Sequence, residues 1–341
     1  MRIWEGFQHG INFGGWFSQQ EYTEQHYRTF ITETDFAAVS RWGLDHVRIP
    51  VDYELVESEG GILKESGFQW IARCIEWCRK YQLHMILDLH KTVGYSFDQQ
   101  RNANAFFSDL ALQARFISLW QEFAKRFGKD DDIVAFELLN EVVDDEVADD
   151  WNKIAAMAID AIRSIAPNIY ILVGGIHHNG VDGVPLLNPP ADAHIVYNFH
   201  CYEPLVFTHQ AARWVKEMPR DFRISYPNDL NEYRRYSAAF NKEYMIPFLH
   251  SGIEDIEASF FEANFADAIA MAEKYDVPLY CGEYGVINIA DTESTLRWYQ
   301  TITSVFDKYH IGRAAWCYKN MDFGLTDMHM NPILPQVLPL L

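Results

Sequence analysis

Two glutamates, Glu141 and Glu283, stand at the C-terminal ends of short apolar runs, IVAFELLN (133–140) and PLYCGEY (278–284). Two carboxyl groups facing one pocket are what glycosidic cleavage needs: one protonates the leaving oxygen, and the other attacks carbon or activates a water. Other residues that close such runs have matching tasks. Arg48 and Tyr202 can hold a nearby carboxylate ionised by charge and hydrogen bonding, while burial keeps an acid protonated. Asn140 and His90 can bind sugar hydroxyls, Trp316 can offer a flat ring face, and His200 ends the run that also carries Tyr202. Taken singly, each of these has a plainer reading as a helix cap or a satisfied buried polar group. Six runs that finish this way point instead to one shared site.

The elements that must position these groups follow from periodicity. Eight apolar runs, at 9–15, 45–51, 84–90, 133–140, 170–175, 194–202, 278–284 and 312–318, alternate with segments of helical period. Phe68, Ile71, Ile75 and Cys78 form one helical stripe. Leu112, Phe116, Leu119 and Phe123 form a second, and Trp151, Ile154, Ala158, Ile162 and Ile165 a third. Eight βα units close most simply as a (β/α)8 TIM barrel, whose catalytic groups gather at the C-terminal ends of the strands. A doubly wound sheet would want a glycine-rich nucleotide loop after its first strand, and GINFGG lacks that spacing. One catalytic domain over 1–341 is expected, with a helical subdomain at 205–261 inserted after strand six, because that connection is far longer than an ordinary barrel loop. Its aromatics mark it as a cap over one side of the cleft. Most of Trp214, Phe222, Tyr236 and Phe240 should pack internally, with one or two reaching substrate.

Composition narrows the partners. A formal charge of −20 repels phosphate backbones and anionic lipid surfaces, so neither nucleic acid nor membrane is expected. No apolar stretch is long enough to span a bilayer. The first residues, MRIWEGFQHGINFGGWF, show no basic region followed by an apolar one, and the five cysteines are an odd number, four of them within apolar segments. A cytoplasmic monomer with reduced thiols is the expectation. Cys74 and Cys78 share a helix face without a second ligand pair, and His177 and His178 lack the carboxylate pattern of a metal-dependent barrel hydrolase, so no metal is assigned to either. The run DDEVADD (144–150) reads as the acidic start of a helix that could also raise the pKa of Glu141.

At this point a family resemblance emerges. GINFGGW, LDHVRIPVDY, WCRKYQLHMILDLH, AFELLNEVV, IVYNFHCYEP, FTHQ, YCGEYGVI and AAWCYKNMDF occur in order, and the chain resembles glycoside hydrolase family 5 nearly end to end. The resemblance implies Glu141 as acid/base, Glu283 as nucleophile, and Arg48, His90, Asn140, His200, Tyr202 and Trp316 as substrate-binding groups around them. It further implies retention of anomeric configuration, no metal or organic cofactor, and a β-glucan or oligosaccharide as the partner. Retaining enzymes hold their two carboxyl groups about 5–5.5 Å apart. Two departures from the family lie near the cleft: Lys91 stands where a second His often follows, and Glu203 where Asn is common. The resemblance favours a cellulase-type endo-β-1,4-glucanase. An exo-β-1,3-glucosidase, a β-glucosidase or a mannanase would keep the same residues. A non-catalytic carbohydrate-binding barrel would usually lack one glutamate, and a Schiff-base aldolase would have to use Lys91.

Overall fold

The computed structural model describes residues 1–98 and 105–341. Eight parallel strands close a barrel in sequence order: β1 His9–Asn12, β2 His46–Asp52, β3 His84–Lys91, β4 Val134–Glu137, β5 Tyr170–Gly174, β6 Ile195–Cys201, β7 Leu279–Tyr284 and β8 Gly312–Ala315. Every expected run carries a strand. Three of them, β1, β4 and β8, have only four residues, so the ends of those runs lie in loops. Asn140 and Glu141 are therefore beyond β4 rather than on it.

Side chains alternate across a strand, and that alternation decides what fills the barrel. Ile86, Ala135, Leu172, Val196, Tyr280 and Ala314 make an inner apolar layer with Trp4 and Phe7 packed against it. The Trp4 and Phe7 rings stack with centroids 3.9 Å apart. Two residues further along the same strands stand Asp88, Glu137, Gly174, Asn198 and Gly282, with Trp316 just past β8. The interior thus changes from apolar to polar within one step of the repeat, toward the ends that carry the site.

The outer helices bury the stripes read from sequence. Phe68, Ile71, Ile75 and Cys78 are buried along Glu65–Tyr81. Phe116, Leu119 and Phe123 are buried along Leu110–Phe127, with Leu112 half-buried. Trp151, Ile154, Ala158 and Ile162 are buried along Ala148–Arg163, whereas Ile165 lies past that helix and is half-buried. Of the acidic residues in 144–150 only Asp149 and Asp150 belong to the helix, in its first turn. Asp109 starts Leu110–Phe127 by accepting from the Ala111 amide at 2.8 Å. All five cysteines are buried free thiols, and burial pushes those of Cys74 and Cys78 up. No helix among the described residues is long and apolar enough to cross a membrane.

Between β6 and the helix Ala258–Tyr275 the chain forms a short turn of helix, Leu205–Thr208, the helix Leu230–Phe240 and a 3₁₀ stretch, Lys242–Phe248. Residues 258–261, expected within the insertion, belong instead to the barrel helix. Phe222 packs on Tyr236 and Phe240, each at 4.8 Å. The buried Tyr226 ties the segment to its surroundings, its amide donating to Ser294 Oγ at 2.9 Å and its hydroxyl to the Ile256 carbonyl at 2.8 Å.

Two indoles fix helices to the strand ends nearest the site. Trp120 donates to the Leu138 carbonyl at 3.1 Å and Trp151 to the Gly174 carbonyl at 2.8 Å, both fully buried. Trp120→Ala should cost about 3–5 kcal/mol, as truncation of a buried aromatic does. Trp120→Phe, which keeps most of the ring volume and loses the hydrogen bond, should cost less. Equilibrium urea denaturation measures both, and an unchanged midpoint for the alanine variant would contradict this packing.

Candidate active site

Arg48 lies third in β2 and is completely buried, not at the strand's end as the sequence suggested. A guanidinium carries five N–H donors, and here all five are used. Nε and Nη2 donate to Glu137 at 2.7 and 2.8 Å, Nη2 also to Asn140 Oδ1 at 2.9 Å, and Nη1 to Asn12 Oδ1 at 2.9 Å and Glu283 Oε1 at 2.7 Å. Asp88 stands 3.0 Å from Nη2. Burial opposes the charge, but Asp88, Glu137 and Glu283 outweigh it and hold Arg48 cationic.

Four members of this network, Asn12, Asp88, Glu137 and Asn198, were missed in the sequence because they lie inside the apolar runs rather than at their ends. A signal was present. Reading each run in steps of two places Asp88 before His90 and Asn198 before His200. Asn198 donates to Glu137 at 2.8 Å and accepts from the Gly282 amide at 3.0 Å. Gly282 is required there, since a Cβ would come within 2.8 Å of Asn198 Oδ1 and 3.0 Å of His200 Nε2.

Glu283, on β7, takes Arg48 on one oxygen and the Tyr202 hydroxyl on the other, at 2.9 Å. Burial raises its pKa while Arg48 and the Tyr202 hydroxyl pull it back. Burial and the neighbouring Glu283 keep Tyr202 protonated and able to donate. Glu141 has a different setting. Its backbone is left-handed, with φ of 38°, and its carbonyl accepts from the buried Tyr95 hydroxyl. The adjacent Asn140 amide donates to the Leu89 carbonyl at 3.1 Å, and the His178 amide to the Val142 carbonyl at 3.0 Å. Burial raises Glu141 well above the usual carboxylate range, and the charge of Glu283 adds to that. Asp98 and Asp88 contribute next after Arg48, and the 144–150 run is not among its main causes.

His200 stands between the two, its Nδ1 2.9 Å from Glu141 Oε1 and 3.7 Å from Glu283 Oε2. Burial and then Arg48 push its pKa well down, so the ring is neutral and can accept the proton of an undissociated Glu141. One ligand atom from each of Glu141, His200 and Glu283 lies within 4.8 Å of the others, the one such group among the described residues. A metal would have to displace the proton that burial keeps on Glu141.

The remaining residues complete the pocket. His90 is neutral through burial, with Nδ1 2.6 Å from Asp88, and its ring lies parallel to that of Trp316 at 5.9 Å. Asn140 Nδ2 and His200 Nε2 are buried polar atoms without a hydrogen-bond partner, positions suited to hydroxyl groups of a ligand. Through these contacts all eight residues named from the sequence share one network. Lys91 does not offer a free amine, because it is ion-paired with Glu54 and lies near the Tyr53 ring. His177 Nδ1 is 2.8 Å from Asp182, away from this pocket's contacts.

Comparison with known proteins identifies the family. Residues 8–322 match the family model Cellulase (glycosyl hydrolase family 5). The chain is 43% identical to cellodextrinase A of Ruminococcus flavefaciens, over 90% of this chain and 84% of that protein. It is 38% identical to endoglucanase C of Acetivibrio thermocellus, over 98% of each. The crystal structure of an endoglucanase from the hyperthermophilic Thermotoga maritima superposes with a TM-score of 0.76 at 22% identity, covering 98% of this chain and 97% of that one, a likeness of fold. A closed (β/α)8 barrel, a family model matching most of the chain and relatives at this identity over nearly the whole chain place it in the cellulase family, glycosyl hydrolase family 5, as a glycoside hydrolase.

Proposed function

We propose that the chain is a retaining endo-β-1,4-glucanase that hydrolyses β-glucans or cello-oligosaccharides by double displacement, as one catalytic domain. The observation that carries this reading is the unequal treatment of two carboxyl groups whose oxygens come within 4.8 Å. Glu283 receives the charge of Arg48 and the Tyr202 hydroxyl, which suits a nucleophile. Glu141 receives burial and a neutral histidine, which suits an acid that starts protonated. In the first step Glu283 attacks the anomeric carbon while Glu141 gives its proton to the leaving oxygen, so one C–O bond forms as the other breaks. In the second, Glu141 takes a proton from water as that water displaces Glu283, and both residues return to their starting state. The names of the two relatives, an endoglucanase and a cellodextrinase, support chains of β-1,4-linked glucose as the substrate class rather than the β-1,3-glucosidase, β-glucosidase or mannanase alternatives.

Glu283→Gln should lower kcat by several orders of magnitude, and a 2-fluoro glycoside should label the peptide containing Glu283 in the parent. Label on another carboxylate, or inversion at the anomeric carbon seen by NMR, would refute the assignment.

The pH profile has a definite sign. kcat/KM should rise as Glu283 loses its proton and fall as Glu141 loses its own, with the two apparent values belonging to the pair. Since Glu141 is raised further than Glu283, the alkaline limb belongs to Glu141. Glu141→Gln should abolish that limb and slow substrates with poor leaving groups by roughly 10²–10⁴-fold, with a smaller effect on activated aryl glycosides. An alkaline limb that survives the substitution rules the role out.

Glu137→Gln tests the support beneath. It removes one charge facing a buried guanidinium and should cost about 3–5 kcal/mol in urea denaturation. A stability equal to the parent's would show that Arg48 does not depend on Glu137.

A further inference from the structure

Glu141 presents its carboxyl from an unfavourable backbone. Its φ of 38° lies in the left-handed region that residues with a side chain seldom occupy, so the surroundings must hold it there. The flanking peptides are tied by the Asn140 amide to the Leu89 carbonyl at 3.1 Å and by the His178 amide to the Val142 carbonyl at 3.0 Å. Neither bond is to Glu141 itself. Its own carbonyl accepts from the Tyr95 hydroxyl, and that residue is 1% exposed. Burial and then the charge of Glu141 push the phenol well up, so it keeps its proton and stays a donor.

A tight turn after β3 carries the tyrosine. Thr92 and Tyr95 exchange backbone hydrogen bonds at 3.0 and 3.3 Å across Val93 and Gly94, and Gly94 is left-handed with φ of 79°. A Cβ on Gly94 would come within 2.4 Å of Leu112 Cδ1, so the turn sits directly on the helix Leu110–Phe127. The Gly94 carbonyl accepts from the Phe106 amide at 3.2 Å, and the Tyr95 ring stands edge-on to Phe107 at 5.5 Å. Phe106 in turn packs on Phe116 of that helix at 5.2 Å. The hydroxyl is thus delivered from β3 and the helix after it to a residue beyond β4. It meets the main chain of Glu141, away from the carboxyl that moves the proton.

We propose that Tyr95 is a positioning residue for the general acid: its hydroxyl locks the left-handed backbone at Glu141 and so aims that carboxyl at His200 and at the leaving oxygen. The proposal rests on the reading of Glu141 as acid/base. Without the donor the Glu141 peptide is free to leave the left-handed region, and its carboxyl then departs from His200 Nδ1, 2.9 Å away in the locked form. Around that carboxyl stand Arg48 from β2, Asp88 from β3, Asp98 from the loop after it, His200 from β6, Tyr202 just past β6, and Glu283 from β7. Burial is the largest cause of its raised pKa, so a carboxyl that swings outward loses part of that rise. Proton delivery suffers, while the nucleophile keeps Arg48 and Tyr202.

Tyr95→Phe removes the donor and keeps the ring. It should lower kcat/KM for cellohexaose roughly tenfold to a hundredfold and leave a dinitrophenyl β-cellobioside, whose leaving group needs no acid, within about twofold of the parent. The alkaline limb of kcat/KM for cellohexaose should move to lower pH. In a Glu141→Gln background Tyr95→Phe should add nothing, because the tyrosine acts through that carboxyl. Gly94→Ala, which strains the turn and leaves the phenol in place, should give the same leaving-group pattern in weaker form. Equal losses on the two substrates, or a full additional loss in the Glu141→Gln background, would mark a general packing role and overturn the proposal. If Glu141→Gln itself spares cellohexaose, the acid assignment falls. If Glu141→Gln is slow and Tyr95→Phe matches the parent in rate and pH profile, the positioning role alone falls.

Discussion

A cation sealed inside a barrel has to be matched by its neighbours, because moving a charged group out of water costs several kcal/mol. Arg48 meets that demand with all five donors, and the demand organises the upper interior. Its partners come from β1, β3, β4, β7 and the loop after β4, so a displacement of any one of these leaves a buried charge short of a hydrogen bond. Asn198 extends the constraint to β6 by holding Glu137 and the Gly282 backbone. The apolar layer one repeat below contributes by excluding water, which strengthens each of these bonds. Glu283 is thereby fixed as part of the barrel's internal structure rather than as a side chain resting on it.

The same arrangement separates the two glutamates. Glu283 is drawn into the Arg48 network and so tends toward the anion, while Glu141 stands outside it, beyond the end of its strand, and meets a neutral ring. Burial acts on both and counter-charge on one far more than the other. Glu141 also sits in a sparsely populated backbone region that Tyr95 and two neighbouring backbone hydrogen bonds help to hold. The direction of that side chain is therefore set by packing from β3 and β5 as well as by its own strand.

The strands, the helical stripes and the eight polar residues at the ends of apolar runs were legible because each has a period or a boundary in the sequence. Arg48 was assigned to the right strand and the wrong depth, since a charged residue among valines and isoleucines looks like a terminus when it is in fact an interior cation. Glu137 and Asp88 were hidden for the same reason: their partners come from other strands, and only closure of the barrel brings them together. The expected influence of the acidic run on Glu141 gave way to Asp98 and Asp88, a matter of loop paths that charge spacing does not encode. The insertion's end was placed a few residues late because Ala258–Tyr275 begins without a side-chain cap to announce it.

The five buried thiols give the barrel a set of internal clocks. Cys74 and Cys78 sit under one outer helix, Cys201 and Cys281 within the neighbouring strands β6 and β7, and Cys317 just past β8, all shielded from solvent. A thiol reagent can reach them only when that part of the wall opens, so the order in which they are modified reports the order in which the fold parts. Cys74 and Cys78 time the release of a helix from the outside, whereas Cys281 times the parting of the strand that carries Glu283. If the polar network holds the upper barrel as tightly as its bonds suggest, the helix thiols will react while the strand thiols are still silent.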